Sequence, residues 1–464
     1  MKTTKTKRPA APRVSVWRKP VTWLGVCLAV GLAVRLAAIG YVGNRALWPD
    51  SVGYQEVAKS IRSGEGFGFE DLSRTSKMDR MPGYPVFLAA VQSLLGEDIL
   101  GVQLVQTAVS LVAIWLGYVL AREVFGTTEG VATAAILAVY PYCVGFAAFI
   151  LSELLFMTLM LAAAAALAVA YKRGEWTWGV VAGLAFGAAT LVRASFLPVV
   201  FLAAGGWLLA RRFNARAAYA AGMMVLTFAL AMAPWAVRNW RASGGHLVLT
   251  TLQVGWSLYE GLSPYADGGP KMAEIHGEIS YSDKPEFKAI RQEIEPIKHD
   301  TYELDRYWFR KALEFAWENP GRALQLAGVK FARFWNILPN EGGLRAPLLC
   351  VVLGVPYALV MAFALGGLAR SWRRRDVALI LLLPVVYYAL LHMVFVGSVR
   401  YREAVMPLVA VLAAHGAEAL WSRLQRGLSS AHRDRAGLQR SRDGGAAAGP
   451  GAGDAGGEAS GGGG

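Results

Sequence analysis

Ten apolar segments, each close to the length that crosses a hydrocarbon layer, restrict this chain to very few folds. A spanning helix takes about 20 mainly apolar residues. The runs at 21–43, 99–120, 128–149, 153–171, 176–192, 195–210, 215–236, 347–369, 376–397 and 403–421 approach or exceed that length. Backbone polar groups in lipid find no water, so such runs fold as helices. The expected fold is an all-α polytopic membrane protein with about ten transmembrane helices. The segments at 176–192 and 195–210 are short enough to be tilted, re-entrant or half-spanning. Gly183 and Gly187 lie four apart in the first of them, a spacing that lets helices approach closely.

Composition agrees, with 55% of residues hydrophobic and only 17% charged against about 25% in soluble domains. The formal charge of +14 raises the question of nucleic acid. The basic residues, however, gather at the ends of apolar runs rather than on one polar domain, which excludes that class. Lys2, Lys5, Lys7, Arg8, Arg13, Arg18 and Lys19 precede the first run without an acid among them, and no small-residue cleavage site follows it. The expectation is an uncleaved anchor with a basic cytoplasmic N-terminus over 1–20. Even-numbered segments then end at Arg122, Lys172–Arg173, Arg211–Arg212, Arg370 with Arg373–Arg375, and Arg423 with Arg426. All of these fall on one side, as the positive-inside rule requires of a multi-pass protein of the cell (inner or plasma) membrane.

Two long loops remain on the opposite, extracytoplasmic face, within a membrane domain reading 21–421. Loop 44–98 holds GYPVFLAAVQSLLG, too short to span and therefore interfacial. Loop 238–346 carries 14 basic and 14 acidic residues, the composition of a small subdomain. In it Leu304, Tyr307, Trp308, Leu313, Ala316 and Trp317 form a stripe at roughly helical spacing, which Asn319-Pro320-Gly321 interrupts. The stretch 422–464 reads as a cytoplasmic tail, Gly/Ala-rich from Gly444 and without apolar bulk for a core. Cys27, Cys143 and Cys350 lie far apart with neither metal nor disulfide spacing. No His/Asp/Glu cluster has metal-ligand spacing, and no Walker or dinucleotide glycine loop is present. No cofactor is expected, although a divalent cation is left open.

The residues that carry chemistry sit where the apolar runs meet the outer face. In PDSVGYQEVAKSIRSGEGF, residues 49–67, Asp50 or Ser51 fits a helix cap, with Tyr54, Ala58 and Ile61 on one face. Arg80 in RMPGYP fits either a lipid-facing anchor or a ligand contact. Glu153, following FILS, fits either a cap or a buried acid, and Arg400 and Arg402 in VRYREAVMP either an interfacial anchor or a clamp. Arg193 lies at the outer end of a short span and could contact phosphate. Arg35 and His392 read as groups paired inside the bundle. Acids and arginines at membrane depth are costly, so together they imply a cavity or pathway. The alternative to an enzyme is a secondary transporter or lipid flippase, which places charge nearer the midplane in broken helices. A third reading is a non-catalytic scaffold whose 238–346 loop binds a partner.

Taken in order, these elements resemble a GT-C membrane glycosyltransferase of the bacterial protein-mannosyltransferase type (glycosyltransferase family 39), related to lipid A aminoarabinose transferases. Asp50, Tyr54, Ala58 and Gly64-Glu65-Gly66-Phe67 match one element, and Arg80-Met81-Pro82-Gly83-Tyr84-Pro85 the next. Ser152-Glu153 and Arg400-Tyr401-Arg402 with Pro407 match two more, and Trp256–Gly269 is also similar. The resemblance covers roughly 20–421. It departs from the pattern where Glu403-Ala404 stands in place of an earlier proline. It implies a single sugar moved from a polyprenyl-phosphate donor to an extracytoplasmic lipid, glycan or protein. On that reading Asp50 is the general base and Glu153 the second acid. Arg80, Arg400 and Arg402 would hold the donor phosphate, and Tyr54, Tyr84 and Tyr401 would line the pocket.

Overall fold

The computed structural model describes residues 20–45, 48–71, 74–76, 78–340 and 342–425. The basic N-terminus and the Gly/Ala-rich tail beyond 425 lie outside the described residues. The chain divides into two units, Met1–Gly416 and Ala417–Gly464; the described part of the second, 417–425, is helical.

The described part of the first unit is mainly helical, apart from loops and a two-stranded antiparallel ribbon, Phe69–Asp71 with Arg74–Ser76. Among the described residues, six helices are long and apolar enough to cross a membrane: Pro20–Val42, Ile99–Val124, Glu153–Arg173, Ala215–Ala242, Pro347–Ser371 and Arg375–Val394. Thr127–Val139 and Pro141–Ala148 are together as apolar, and make a seventh span if the pair, bent by 53°, is counted as one. Fewer full spans therefore occur among the described residues than the ten apolar runs imply. The runs near 176–192 and 195–210 become short apolar helices, Trp176–Val192 and Ala194–Ala210. The last run is broken by a turn at 404–405, between the short helix Val399–Glu403 and a helix that begins at 406. GYPVFLAAVQSLLG forms the short helix Gly83–Leu95.

The bent span shows how sequence sets the shape of the outer face. Pro141 has no N–H, so the carbonyl of Leu137 loses its helical donor. Arg35 supplies the missing bonds, donating to Leu137 O at 3.1 Å, Ala138 O at 2.8 Å and Ser110 Oγ at 2.6 Å. At the far end of the short helix, Gln103 donates to Ala148 O at 2.8 Å, and Gln106 to Ala147 O at 3.1 Å and Phe149 O at 2.9 Å. Gln103, Gln106 and Ser110 follow helical spacing on one face of Ile99–Val124, so a polar stripe inside the bundle serves a broken neighbour. Arg35 is thus a bundle residue, fully buried and held by polar partners.

Close packing elsewhere depends on glycine. Gly179, Gly183 and Gly187 face the Ala215–Ala242 helix, and a Cβ at Gly183 would lie 2.1 Å from both Met224 O and Thr227 Oγ1. The loop 238–346 builds its own apolar core from Trp256, Tyr259, Ile275, Phe287, Tyr307 and Trp308. Leu313 and Trp317, placed on the buried stripe by their spacing, are instead 49% and 88% exposed; Ala312 takes the inward position.

Candidate active site

The helix Pro49–Ser63 begins at Trp48, and the cap is made by Ser51, not Asp50. Ser51 Oγ accepts from Trp48 N at 2.9 Å and donates to Ile150 O at 2.7 Å, tying this helix to the break before Glu153. Pro49 occupies the first helical position, where its missing N–H costs nothing. Gly64 closes the helix in the left-handed conformation, φ 82°. Asp50 is therefore free of capping work and turns toward arginines.

Five charged side chains form one continuous chain of ion pairs. Arg80 Nη2 lies 3.3 Å from Asp50 Oδ1, and Arg400 Nη1 lies 2.8 Å from Asp50 Oδ2. Arg400 Nε also bonds Glu153 Oε1, and Arg193 Nη2 lies 2.7 Å from that same oxygen. The positions that meet here are 50, 80, 153, 193 and 400 of the sequence. Arg193, set aside in favour of the other arginines by sequence, is a full member. Its one sequence signal was a cation ending an apolar helix on the outer side.

The two carboxylates differ in access. The Glu153 side chain is fully buried, whereas that of Asp50 is 36% exposed. Glu153 begins the Glu153–Arg173 helix without capping it, and its Oε2 has no hydrogen-bond partner among the described residues; neither does Arg193 Nε. Orphaned buried polar atoms of this kind mark places where a further polar group fits. Burial works against ionised Asp50, but Arg400 and then Arg80 outweigh it, and the carboxyl sits below its ordinary value. Burial likewise disfavours charge on Arg400, yet Glu153 and Asp50 hold its pKa well above the usual range.

Aromatic rings frame the cluster. The Arg80 guanidinium lies 4.9 Å from the Tyr54 ring, and Tyr54 packs edge-on to Tyr84 at 4.9 Å. Tyr54 OH donates to Ser152 Oγ at 3.2 Å, which also accepts from Arg193 at 3.4 Å. Tyr84 is buried with its hydroxyl on Gln106 at 2.8 Å, and Tyr401 stacks on His392 at 4.5 Å. Gly53 leaves room for Arg80, since a Cβ there would lie 3.3 Å from its Nη2.

Arg402 is not brought to this cluster. Val399–Glu403 is a short helix, and residues two apart on a helix point to nearly opposite sides. Arg400 faces Asp50 and Glu153, while Arg402 turns inward, fully buried. It donates to Asn336 O at 2.6 Å, Phe334 O at 3.3 Å and Glu403 Oε1 at 3.0 Å, and stacks 3.5 Å from the Tyr357 ring. Glu403, the residue that breaks the sequence pattern, is the counterion of Arg402 and also accepts from Tyr140 OH at 2.8 Å.

Chemically, the directly paired groups are three guanidiniums and two carboxylates. That surplus of positive charge suits a phosphate better than a divalent cation, and the planar forks of arginine suit phosphate oxygens. Asp50, partly exposed and in the first turn of a helix, is the more accessible of the two carboxylates.

Residues 79–236 match the family described as dolichyl-phosphate-mannose-protein mannosyltransferase. That segment includes Arg80, Glu153 and Arg193. None of the curated proteins matches the sequence. Among solved structures, the archaeal oligosaccharyltransferase AglB from Archaeoglobus fulgidus, in complex with an inhibitory peptide and a dolichol-phosphate, aligns with a TM-score of 0.56 at 15% identity. The alignment covers 90% of this chain and 52% of that one, so this chain spans about half the length of AglB. The apo form of the same oligosaccharyltransferase gives the same TM-score and identity and covers 53% of that chain. ArnT from Cupriavidus metallidurans bound to undecaprenyl phosphate, at 16% identity over 85% of this chain and 77% of that one, aligns at a TM-score of only 0.37, too loosely to argue from. The family match over 79–236 and the AglB-like fold agree with the GT-C glycosyltransferase resemblance read from the sequence, and the several long apolar helices are those of a multi-pass membrane protein.

Proposed function

We propose that the protein transfers one sugar from a polyprenyl-phosphate donor to an extracytoplasmic hydroxyl-bearing acceptor, with Asp50 as general base. The observation that carries this reading is the Arg80–Asp50–Arg400–Glu153–Arg193 chain of ion pairs at the outer ends of the helices. The family matched by 79–236 is named for a lipid-phosphate sugar donor, and the AglB structure with this fold holds a dolichol-phosphate. Both support a donor of that class.

In the transfer, an acceptor oxygen attacks the anomeric carbon as the bond from that carbon to the phosphate oxygen breaks. The electron pair leaves with the phosphate, and the acceptor proton passes to Asp50. The leaving group is already an anion and needs cations rather than a proton. Arg80 and Arg400 serve it, and in doing so they exchange Asp50 for phosphate oxygens. Asp50 thereby loses the partners that depress its pKa and becomes a stronger base when the donor is bound. Glu153, buried between Arg193 and Arg400, holds those guanidiniums in place. Attack opposite the leaving phosphate inverts the anomeric centre.

The test is ligand-induced thermal stabilisation in lipid nanodiscs across a panel of polyprenyl-phosphate sugars. One donor should stabilise the native chain, less so Arg80→Ala, and fully so Asp50→Asn. With that donor, Asp50→Asn should lower sugar transfer about 10²- to 10⁴-fold, the range of a lost general base. Failure of every donor to stabilise a folded chain would favour the transporter reading.

A further inference from the structure

A second basic site lies at the opposite end of the bundle from Asp50. The Glu153–Arg173 helix has 21 residues, about 30 Å of rise, so Lys172 and Arg173 sit one hydrocarbon thickness away from Glu153. There a cavity of about 360 Å³ opens between the ends of three helices, with Lys172, Arg173, Arg211 and Arg216 around it and Tyr171 and Trp207 in its wall. Trp207 is buried, and Arg211 is pinned by a bond to Tyr171 O and by the Tyr171 ring 4.2 Å from its guanidinium. Lys172, Arg173 and Arg216 have no ion-pair partner among the described residues. The nearest acid in sequence, Glu175, does not line the cavity.

Two local features run against the folded chain's own interest. Arg216 stands in the first turn of the 28-residue helix Ala215–Ala242, where the helix dipole repels a cation. Arg212 and Phe213 hold φ of 52° and 54°, a conformation costly to residues other than glycine and common at binding sites. A bound anion relieves the first by placing negative charge among four cations at a helix start, beside the Asn214 cap on Ala217 N. Just outside the rim, Leu209 and Phe213 are 65% and 63% exposed, and Trp176 packs with Tyr219 at 6.1 Å. A soluble phosphate has no use for these apolar and aromatic surfaces, whereas a lipid does, with acyl chains against them and its headgroup inside.

We propose that this cavity binds the phosphate headgroup of an anionic membrane lipid, in the leaflet opposite the Asp50 cluster. The positive-inside rule makes that the cytoplasmic leaflet, where basic pockets between helix ends hold such headgroups. The site is independent of sugar transfer and uses none of its residues.

Native mass spectrometry of the full chain, with phosphatidylglycerol and phosphatidylcholine as competing probes, tests it. The native chain should retain phosphatidylglycerol about tenfold or more in preference to phosphatidylcholine. K172Q/R173Q/R216Q should lose that preference, while Arg373→Gln, on the same face but outside the cavity, should keep it. These three replacements leave the Arg211–Tyr171 contacts intact; should the triple variant not fold, Arg216→Gln alone should at least halve the preference. Equal retention of the two lipids, or an unchanged preference in the triple variant, overturns the site. Occupancy by inorganic phosphate at millimolar concentration without any lipid preference overturns the lipid assignment.

Discussion

Arg400 and Arg402 show how far apart two neighbours of one type can be in role. Both lie in the same short helix, but one is the hinge of the ion-pair chain and the other is buried among carbonyls. Removing Arg402 leaves Glu403 buried without its counterion, with only the Tyr140 hydroxyl bond, which costs about 3–5 kcal/mol. Arg402→Gln should therefore show a sharply lower Tm or fail to accumulate, whatever donor is present. Arg400→Gln leaves Asp50 paired with Arg80 and Glu153 with Arg193, so it should fold and lose donor-induced stabilisation instead. A normal Tm for Arg402→Gln would sink this division of labour. The sequence showed the two arginines but not their directions, and Glu403 read as a departure because its partner Tyr140 is 263 residues away. Glu260 gives the residue scale its pH signature. It is buried and accepts from Lys271 N and Met272 N at 2.6 Å each, and burial pushes its carboxyl from 4.5 up to about 7. A raised carboxyl pKa means that the folded chain holds the proton longer than the unfolded chain. Its contribution is then full below pH 4.5 and is lost as pH rises toward 7, by up to about 3 kcal/mol. Glu260→Gln keeps an oxygen for both N–H groups, so the difference in Tm between variant and native chain should grow with pH over that window. A pH-independent difference would exclude the effect.

At the scale of elements, two signals in the sequence differed in clarity. The Gly183/Gly187 spacing pointed to a close helix approach, and Gly179 extends that face against Ala215–Ala242. Gly183→Ala forces a methyl to within 2.1 Å of the Met224 carbonyl, backbone that cannot swing aside. Overpacking of this kind costs about 1–3 kcal/mol, read as a lower Tm, whereas Gly205→Ala, with open space around it, should leave Tm unchanged. Equal Tm for both variants would refute the packing argument. The bent span was harder to read. Hydropathy runs unbroken through 128–149, and Pro141 is the one local sign that it bends. What makes the bend stable lies elsewhere, in Arg35, Gln103, Gln106 and Ser51, whose carbonyl partners are 41 to 103 residues away. Hydropathy counts apolar length, so it also could not separate full spans from Trp176–Val192 and Ala194–Ala210, which are apolar but short.

At the scale of the whole molecule, function depends on sidedness. Glu153 lies at the end of its helix opposite Lys172–Arg173, Arg193 follows the end of Trp176–Val192 away from them, and the Pro347–Ser371 helix likewise separates loop 238–346 from Arg370 and Arg373–Arg375. An extracytoplasmic acceptor follows only if that loop faces outward. Tyr281 in the loop is 84% exposed, and Trp372 at the other end of the Pro347–Ser371 helix is 63% exposed, so each accepts a cysteine without loss of packing. Cys27 and Cys143 are buried, and Cys350 can be replaced by serine to leave a silent background. In intact cells, or spheroplasts where an outer barrier intervenes, a membrane-impermeant maleimide should label Tyr281→Cys directly and Trp372→Cys only after permeabilisation. The reverse pattern would turn the Asp50 cluster toward the cytoplasm. Sugar transfer to an external acceptor would then be untenable, even with every distance in the cluster unchanged, because a polyprenyl-phosphate donor and its acceptor must meet on the same side of the bilayer.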